Sequence, residues 1–442
     1  MEHCTHFRSH AQTIWREGVL MNEIERRIRA NRLLDLPVNW QDELVYPYYD
    51  GLSILNVAQA VARFFGVEVG CGLDTSVWGG DMPQPQRVVL FLSDGLSYNR
   101  LKQFMAQDSE LAQTVQTLNG GRDVLPLTSI APSTTVVALP TLWTGKPSVT
   151  HGIVGTWMYL REVAAMSNIL FFKPILGDYP GGELNRWGVD ADTFVTEPSI
   201  PQRLNEMGVP TYLLLDYSLM GTGLSRILHR GIEHDHTYLH GGLNDVWDRL
   251  RDVLRDTRGQ GCYVSAYLPN VDKLAHLYGA DNVYARQEIR YQMQQLQTIL
   301  TSDEVQDGQT LVMLIADHGH HDAPVAVDLS ADPVIESATF MTYGAEARLA
   351  QLHLRDIQSV VERINTQYSE QLACVPMTQA IDAGLFGVGE HHPELQYRSG
   401  DLLLIPRLNV RLVDKLHPAK LVSIHGGLSD WEMLVPFIWR CI

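Results

Sequence analysis

One stretch of the chain, Thr310–Gly319 (TLVMLIADHG), constrains the fold more than any other. It begins with a run of apolar, mostly β-forming residues and ends on Asp317 and His318, followed by a glycine. In an open α/β sheet, ligands bind beyond the carboxyl ends of the strands, so an Asp-His pair at that position faces a site. We therefore interpret the stretch as a buried strand that delivers half of a metal site.

The same arrangement recurs at three further places in the chain. Apolar runs end on Asp94 in VVLFLSD, on Asp272 in CYVSAYLPNVD and on His425 in LVSIH. None of these runs alternates polar and apolar residues, as expected for strands covered on both faces. Segments with helical spacing lie between them, and Asp281–Leu300 is the clearest. This alternation predicts an α/β fold with a mostly parallel central sheet and helices on both faces.

The first part of the chain, residues 1–34, has the pattern of an amphipathic helix. Four apolar residues recur there among charged ones: Ile14, Leu20, Ile24 and Ile28. Such a face docks on the body of a protein or mediates self-association. We predict an N-terminal helical extension and leave both roles open, including a homo-oligomer. Residues 35–442 are then expected to form one α/β domain.

The pattern changes again beyond Asp322. Strands are predicted at Thr339–Gly344 and Asp401–Ile405, and a long helix is predicted at Glu346–Tyr368. We interpret residues 325–415 as a small α+β insertion, or cap, within the larger domain.

Charge and cysteine content restrict the partners and the compartment. The 442 residues carry a net charge of −17, and such a surface repels long polyanions and anionic bilayers but not a small phosphate ester. We therefore expect neither extended duplex nucleic acid nor a membrane as a partner. Five scattered cysteines without a CxxC spacing fit free thiols of a reducing compartment. The polar N-terminus lacks a signal-peptide core, and no apolar run approaches the roughly 18 residues of a membrane span, so we expect a cytoplasmic protein.

Six residues at these strand and helix ends have side chains that bind divalent metals: Asp94, Asp272, His276, Asp317, His318 and His425. Asp272 and His276 are four residues apart, so one helical turn places both on the same face. Mixed carboxylate and imidazole ligands suit Zn²⁺ or Mn²⁺ better than Ca²⁺, which prefers oxygen alone. Six ligands are too many for one tetrahedral zinc and predict two divalent ions, zinc or alternatively manganese.

A hydroxyl group is predicted beside these ligands. Ser133, Thr134 and Thr135 precede an apolar segment, which is an N-cap signal, and a helix N-terminus favours anions. Two metal ions roughly 4 Å apart can hold the attacking and leaving oxygens of an in-line displacement at phosphorus. One of the three hydroxyls, activated as an alkoxide, would serve as the nucleophile. The set therefore fits phosphoryl transfer through a covalent intermediate.

Five motifs, taken in order along the chain, resemble those of the alkaline phosphatase superfamily. They are Asp94-Gly95, PSTT with the following Thr144-Gly145 and HGI, Asp272-xxx-His276, Asp317-His318-Gly319, and His425-Gly426-Gly427. The branch that they resemble is the type I phosphodiesterase/nucleotide pyrophosphatase group, in a bacterial form, over roughly residues 45–440. The resemblance implies an alkaline phosphatase-like catalytic domain at 35–442 that hydrolyses small phosphate esters or nucleotides with zinc.

The resemblance also implies a role for each candidate. The family's nucleophilic threonine lies nine residues before the Thr-Gly pair, which corresponds to Thr135 as the catalytic residue here. The implied ligand sets are Asp272, His276 and His425 for one zinc, and Asp94, Asp317, His318 and Thr135 for the other.

One position departs from the pattern of eukaryotic members, which place an asparagine four residues beyond the glycine of HGI to bind a phosphate oxygen. Here that position is Thr156, which has one donor on a shorter side chain. We predict Thr156 as a substrate-binding residue and Asn168 as a substitute for the missing amide. The substrate preference of the eukaryotic enzymes is therefore not carried over.

Several further polar residues are interpreted as supporting or surface residues. Asp216 ends an apolar run in the style of the ligands but matches no family position, so we expect a structural role. The same expectation, support of the ligands from behind or a surface location, applies to His320, His321, His391 and His392.

The leading hypothesis is a two-zinc phosphodiesterase or nucleotide pyrophosphatase that acts through a phosphothreonine on Thr135. A phosphomonoesterase or phosphonate hydrolase is the alternative with the same chemistry. A sulfatase is disfavoured because no Cys-x-Pro-x-Arg motif lies near the nucleophile. An alternative of another class is a metal-stabilised binding or assembly module in a larger system, but such a module would have no need of the Thr135 hydroxyl.

Overall fold

The computed structural model describes residues 22–33, 36–80, 82–232, 236–242, 244–303 and 305–442. Two seven-stranded sheets and one two-stranded sheet organise this part of the chain. No helix in these ranges is long and apolar enough to cross a membrane.

The strands alternate with helices along most of the chain. In chain order the strands are β1 (Arg87–Ser93), β2 (Leu125–Thr128), β3 (Trp157–Leu160), β4 (Ala165–Asn168), β5 (Lys173–Pro174), β6 (Thr211–Asp216), β7 (Thr237–His240), β8 (Cys262–Leu268), β9 (Thr310–Ile315), β10 (Val325–Asp328), β11 (Gly344–Glu346), β12 (Leu349–Leu352), β13 (Leu372–Pro376), β14 (Leu402–Pro406), β15 (Val410–Val413) and β16 (Leu434–Cys441).

The α-helices of the described ranges are numbered in the same way. They are α1 (Glu23–Ala30), α2 (Ile54–Phe64), α3 (Tyr98–Gln107), α4 (Ser109–Leu118), α5 (Thr135–Thr144), α6 (Ser148–His151), α7 (Glu183–Arg186), α8 (Ile200–Glu206), α9 (Gly223–Leu228), α10 (Asp245–Asp256), α11 (Asn270–Tyr278), α12 (Val283–Leu300), α13 (Pro333–Ala338), α14 (Ile357–Arg363), α15 (Met377–Asp382), α16 (Leu395–Arg398) and α17 (Asp430–Met433).

The central sheet has the strand order β2-β16-β9-β1-β8-β6-β7. Strand β1 pairs in parallel with β8 on one side and with β9 on the other, and β6 and β7 continue the parallel part. Strand β16 runs antiparallel between β9 and β2. Every residue of β1 and β9 is buried, and since successive side chains face opposite sides, both faces of the sheet are covered. The predicted α/β fold with a mostly parallel central sheet is confirmed.

Helix α12 shows why these segments become helices. The side chain of Asn282 caps it by accepting the Ala285 N–H at 2.8 Å, and Ile289, Met293 and Leu296 are buried along one face. Their spacing of four and three residues matches the helical period. The helix therefore forms where the sequence predicted it, within two residues at its start.

The second sheet has the order β13-β14-β12-β11-β3-β4-β5 and is antiparallel throughout. The predicted strand at Asp401–Ile405 is present as β14, but the predicted helix at Glu346–Tyr368 is wrong in its first half. That half forms the hairpin β11–β12, and the predicted strand at Thr339–Gly344 is irregular until Gly344. All four residues of β12 are buried, so polar and apolar residues do not alternate along the strand. Without that alternation, the spacing of its apolar residues resembles that of a buried helix face. The boundaries 1–34, 35–442 and 325–415 stay a prediction, although this sheet also includes β3, β4 and β5.

The predicted strand at Leu421–His425 is also wrong. The segment is irregular and touches its neighbour through a single bridge between Ile424 and His321. The guanidinium of Arg411 binds the carbonyls of Leu421 and Val422 at 2.6 and 2.9 Å. Because these backbone oxygens are already bound by a side chain and Val422 is half-exposed, the run does not enter a sheet.

Helix α1 is the described part of the predicted N-terminal extension. Ile24 and Ile28 are buried as that prediction requires, whereas Ile14 and Leu20 lie outside the described residues. Three ion pairs attach the helix to the body: Arg27–Asp74 at 2.8 Å, Arg29–Asp430 at 3.1 Å and Glu25–Lys102 at 3.7 Å. Its apolar face therefore docks on the rest of the chain.

Candidate metal centre

The order of the central sheet explains why residues far apart in sequence share one site. Asp94 follows β1, and Asp317 and His318 follow the adjacent strand β9. On the other side of β1, strand β8 leads into α11, which carries Asp272 near its start, and the Asp272 N–H donates to the Asp94 carbonyl at 3.0 Å. The carboxyl ends of three parallel strands thus bring their ligand candidates to one edge.

Gly95 is required for this close approach. It has a φ of +76°, and a Cβ at this position would lie 2.8 Å from Asp272 Cα and 3.0 Å from His320 Cδ2. A larger residue would combine an unfavourable backbone conformation with a clash against the helix that carries Asp272. The glycine after the strand therefore allows the two halves of the site to meet.

One group of candidates consists of Asp94, Asp317 and His318, whose ligand atoms lie within 4.8 Å of one another. All three side chains are buried. His318 Nδ1–H donates to the Gly319 carbonyl at 3.1 Å, so the lone pair of Nε2 points inward. This Nε2 lies 3.5 Å from both Asp94 Oδ1 and Asp317 Oδ2. His318 Nε2 therefore directs a lone pair at two carboxylate oxygens and donates no hydrogen to either. Such a cluster of acceptor atoms is stabilised by a bound cation.

The three candidate hydroxyls have different neighbours. Ser133 Oγ donates to the Gly427 carbonyl at 2.7 Å, and Thr134 Oγ1 lies 3.4 Å from Thr156 Oγ1. Only Thr135 among the three reaches the group just described, with Oγ1 3.0 Å from His318 Nε2 and 3.5 Å from Asp94 Oδ1. Thr135 is also the first residue of α5, where the helix presents its positive end. The geometry thus distinguishes Thr135 from its two neighbours.

The second group of candidates surrounds Asp272. On one face of α11, His276 Nε2 lies 3.2 Å from Asp272 Oδ1, while its Nδ1–H donates to the Ser423 carbonyl at 2.8 Å. His425 approaches from the irregular segment, with Nε2 3.8 Å from the same carboxylate oxygen. Here too, imidazole lone pairs face a carboxylate, and the helical spacing of Asp272 and His276 is present as predicted.

His320 completes the surroundings of Asp272 and is almost fully buried. Its Nε2–H donates to Asp272 Oδ1 at 2.8 Å. Its ligand atom also falls in one geometric group with Asp272, His318 and His425. Because the nitrogen that faces the carboxylate carries the proton, His320 orients Asp272 rather than binding metal with that atom. In the sequence, the only indication of this contact is that His320 follows the ligand candidate His318 by two residues.

The electrostatics of the site favour a bound cation. Burial, followed by the neighbouring carboxylates of Asp317 and Asp272, raises the pKa of Asp94 well above its usual value. Burial and the adjacent imidazoles hold the pKa of His425 well below its usual value. Within the described ranges no lysine or arginine forms an ion pair with Asp94, Asp272 or Asp317. Buried carboxylates that face only imidazoles, with no lysine or arginine, are costly, and a divalent cation would compensate them.

Unpaired polar atoms test the fit of a metal independently of charge. The clearest case is Asp317 Oδ2, which is buried and has no hydrogen-bond partner among the described residues. Buried polar atoms are rarely left unsatisfied in native proteins, and those that are need an explanation such as an ion. The donor set of carboxylates, neutral imidazoles and one hydroxyl therefore fits divalent metal ions.

Tyr267 is a site residue that the sequence did not reveal. It lies on β8, and its hydroxyl donates to Asp94 Oδ2. Burial and the negative charge of Asp94 raise the pKa of the Tyr267 hydroxyl well above its usual value, so it remains a donor. A tyrosine inside an apolar strand has no local signal that distinguishes it from a core residue.

The predicted substrate-binding residues differ in their positions. Thr156 lies beside Thr134, with the two hydroxyl oxygens 3.4 Å apart, and its N–H donates to Glu346 Oε1 at 3.2 Å. Asn168 is on β4, where its side-chain oxygen accepts the Phe171 N–H at 2.9 Å. No hydrogen bond in the described ranges joins the Asn168 side chain to the metal-ligand candidates. Its role in substrate binding therefore stays a prediction.

Glu346 is a second residue that the sequence did not single out. It lies on β11, is 7% exposed, and faces the hydroxyls of Thr134 and Thr156. Burial raises its pKa to about 7, and the threonine hydrogen bonds oppose this shift. The sequence predicts a long helix that begins at Glu346, and nothing in that prediction connects the residue with the site.

Asp216 and His391 lie outside the candidate metal centre. Asp216 Oδ1 accepts the Ser218 N–H at 2.9 Å and so caps the turn after β6. His391 is exposed. Both arrangements agree with the structural and surface roles expected for these residues.

The sequence of this chain matches one known protein family. A sequence model of the family "Type I phosphodiesterase / nucleotide pyrophosphatase" matches residues 88–428. Among curated proteins, none matches the sequence significantly.

Solved structures share the fold at low identity. Murine ectonucleotide pyrophosphatase/phosphodiesterase 5 is 12% identical with a TM-score of 0.56, over 80% of this chain and 87% of the murine chain. Its human counterpart is 12% identical with a TM-score of 0.58, over 80% of this chain and 87% of the human one. Phosphonoacetate hydrolase from Sinorhizobium meliloti 1021 is 17% identical with a TM-score of 0.56, over 80% and 90% of the two chains. These likenesses agree with the alkaline phosphatase-like fold expected from the motifs.

The family match covers more than half of the chain and contains all seven residues, Thr135 among them, that the resemblance implies as metal ligands. The resemblance that the motifs indicated is thereby confirmed. The chain belongs to the type I phosphodiesterase/nucleotide pyrophosphatase family and is an enzyme of that family's kind, a metal-dependent hydrolase of phosphoric esters.

Proposed function

We propose that this protein is a phosphodiesterase/nucleotide pyrophosphatase that uses two divalent ions, zinc or alternatively manganese, and forms a phosphothreonine on Thr135. The observation that carries the proposal is the position of the Thr135 hydroxyl. It lies at the N-terminus of α5, 3.0 Å from His318 Nε2 and 3.5 Å from Asp94 Oδ1. A nucleophile beside a ligand group and a positive helix end is what in-line attack on a phosphodiester requires.

Two ligand sets are proposed for the ions. His318 lies near both geometric groups, and we assign it to the Thr135 side because its Nε2 is closest to that hydroxyl. When bound, the ions would supply positive charge to the attacking and leaving oxygens. The proposed sets are Asp272, His276 and His425 for one ion, and Asp94, Asp317, His318 and Thr135 for the other.

The chain's own residues then account for the two half-reactions. Thr135 Oγ1 gives up its proton and forms a bond to phosphorus while the bond from phosphorus to the leaving oxygen breaks. The leaving alcohol or nucleotide takes up a proton, and the phosphoryl group stays on Thr135 as a phosphothreonine ester. His318 and Asp94 position the hydroxyl, and the first N–H groups of α5 face the anionic phosphoryl group. In the second half-reaction a water oxygen forms a bond to phosphorus, the bond from phosphorus to Thr135 Oγ1 breaks, and Oγ1 takes up a proton. The phosphate monoester leaves and the Thr135 hydroxyl is restored.

One relative supports both the threonine and the substrate class. A murine ectonucleotide pyrophosphatase/phosphodiesterase 5 structure with a TM-score of 0.55 is an inactive threonine-to-alanine variant in complex with AMP. We propose by analogy that small nucleotide or phosphodiester substrates bind this chain. Phosphonate hydrolysis is the second candidate, because phosphonoacetate hydrolase shares the fold with a similar TM-score.

We also propose that the protein works in a reducing, cytoplasmic environment. The cysteines at positions 71, 262, 374 and 441 are free thiols, as such an environment allows. Cys4 lies outside the described residues.

The test combines metal content with turnover. Purified protein is analysed by mass spectrometry for bound metal, and hydrolysis of bis-p-nitrophenyl phosphate and p-nitrophenyl phosphate is measured before and after chelation. The proposal requires about two ions per chain and a diesterase activity that chelation removes. A preference for the monoester supports the phosphomonoesterase alternative, and preferential cleavage of phosphonoacetate supports a phosphonate hydrolase.

Thr135→Ala separates catalysis from binding. Turnover should fall by at least about 10³-fold while metal content and thermal stability largely persist. Thr366→Ala, on an exposed helical turn, is the matched control and should retain full activity. If Thr135→Ala retains turnover, the covalent mechanism is wrong, and if no preparation turns over any of these substrates, a binding or assembly module is favoured.

A further inference from the structure

The carboxyl group of Glu346 connects the second sheet to the candidate metal centre. Strand β11 pairs with β3 through Ala345 and Trp157, which places Glu346 opposite the loop that contains Thr156. On its other side is Gly426, the residue after His425. A Cβ on Gly426 would lie 2.6 Å from Glu346 Cβ, so these two segments of the chain are in contact. Glu346 is thus held between the loop that contains Thr156 and the loop that contains His425.

The negative charge of Glu346 has no basic partner. Its hydrogen-bonding neighbours are the Thr156 N–H and the hydroxyls of Thr134 and Thr156, and the basic group that acts on its charge is the more distant imidazole of His318. Within the described ranges no lysine, arginine or histidine forms an ion pair with it. Glu432, another buried glutamate, differs in this respect because both its oxygens bind the Arg348 guanidinium at 2.9 and 3.1 Å.

The neighbours of Glu346 show on which side of the site its carboxyl group lies. Thr134 directly precedes the nucleophile Thr135, and its hydroxyl is one of those that Glu346 faces. A phosphoryl group in line with Thr135 Oγ1 therefore has an acidic side chain on the Thr134–Thr156 side. Above its pKa of about 7 the Glu346 side chain is a carboxylate, and a carboxylate on that side of the site penalises each additional negative charge on the substrate.

We propose that Glu346 is a specificity-determining residue that selects phosphodiesters over phosphate monoesters. The inference rests on the proposed function, since it assumes that Thr135 attacks phosphorus. A phosphodiester carries one negative charge, whereas a monoester carries close to two at neutral pH because its second pKa is about 6. The carboxyl group of Glu346 repels the second charge and leaves diester binding comparatively unaffected.

The decisive variant is Glu346→Gln in the full-length, metal-loaded protein. Glutamine keeps an oxygen that accepts the Thr156 N–H but removes the charge. The ratio of kcat/KM for p-nitrophenyl phosphate to that for bis-p-nitrophenyl phosphate should rise about 10-fold, the scale of a modest electrostatic contribution. Glu346→Ala removes the charge in a different way and should shift the ratio in the same direction. Glu336→Gln, at an exposed glutamate paired with Lys415, is the control and should leave the ratio unchanged.

A binding measurement gives a readout that does not depend on turnover. Inorganic phosphate is titrated calorimetrically into wild type and into Glu346→Gln, both with equal metal content. The charge-neutral variant should bind phosphate about 10-fold more tightly, for the same reason.

The outcomes separate this inference from the proposed function. An unchanged substrate ratio together with unchanged phosphate affinity would overturn the inference, as would an equal loss of both activities, which would indicate a structural role. Absence of turnover in wild type would refute the proposed function, and tighter phosphate binding by Glu346→Gln would still support the role of the charge.

Discussion

The imidazole rings of His318 and His425 stack with their centroids 3.8 Å apart and an interplanar angle of 23°. His318 comes from the end of β9 and His425 from an irregular segment more than a hundred residues later. The stacked pair therefore joins the two ligand groups of the centre. Two imidazoles in face-to-face contact cannot both be charged at low cost, so the pair is suited to neutral rings that offer lone pairs.

Removal of metal should destabilise the fold. Without a cation, the buried carboxylates of Asp94 and Asp317 lie close together, and no lysine or arginine in the described ranges is paired with them. A ligand that binds only the folded state stabilises it in proportion to the logarithm of its concentration over Kd. Chelation should therefore lower the Tm in differential scanning fluorimetry by several degrees, and added Zn²⁺ or Mn²⁺ should restore it. A Tm that is the same with and without chelator would contradict the assignment of these residues as ligands.

Replacement of His320 should weaken metal binding without abolishing it. In His320→Ala the Nε2–H that donates to Asp272 Oδ1 at 2.8 Å is lost, and the carboxylate is no longer held in one orientation. Loss of such a supporting hydrogen bond typically costs about 10–100-fold in metal affinity. Competition with a chromophoric chelator measures the change, and His391→Ala, at an exposed histidine, serves as the control. Equal affinities of the two variants would exclude a supporting role for His320.

The buried ion pair between Arg348 and Glu432 should be important for stability. Both side chains are almost fully buried, and Glu432 also accepts the N–H groups of Gly427 and Ser429 next to the candidate centre. Arg348→Met leaves a buried carboxylate without its partner, which costs about 3–5 kcal/mol of unfolding free energy. Urea denaturation measures the loss. The double variant Arg348→Met/Glu432→Gln should recover part of it, and an equally unstable double variant would argue against an uncompensated charge as the cause.

Stability should also fall in acid because of Glu432. Although burial acts in the opposite direction, the Arg348 guanidinium and the Ser429 hydrogen bond lower the pKa of Glu432 from 4.5 to about 2. Between these two values the unfolded chain binds the proton and the folded chain does not. The contribution of Glu432, about 3 kcal/mol from this difference, is thus complete above pH 4.5 and is lost as the pH falls towards 2. Urea midpoints measured from pH 6 to 3 should decline less steeply in Glu432→Gln than in wild type, and parallel declines would contradict this cause.

The sequence was sufficient to predict strands β1, β8 and β9 of the central sheet because the residues of each strand mark it as buried. β1 and β9 are apolar throughout and end on residues with ligand chemistry, so both the element and its function are local properties. Parallel strands with helical connections also have few possible arrangements, so the ligand candidates at their carboxyl ends were expected to meet. The helical spacing of Asp272 and His276 was local in the same way.

The second sheet could not be predicted because its partners are distant. Strand β11 pairs with β3, which precedes it by almost two hundred residues, and Ala345 has a φ of +62°, which local propensity does not favour. The contact between Glu346 and Thr156 depends on that pairing. Tyr267 and Glu346 therefore enter the site through tertiary structure, and neither has a neighbour in sequence that marks it as functional.

The position of β16 has a consequence for the order in which the molecule can be assembled. Although β16 is the last strand in the chain, it lies between β2 and β9, and only its pairing holds β2 in the sheet. β2 is followed by Thr135, the proposed nucleophile, and β16 is preceded by His425. During synthesis β2 must wait about three hundred residues for its partner, a separation that makes pairing slow. The hydroxyl and the last histidine ligand are thus brought together at the end of folding, so a partly synthesised chain that already contains β1, β8 and β9 does not yet have a complete centre.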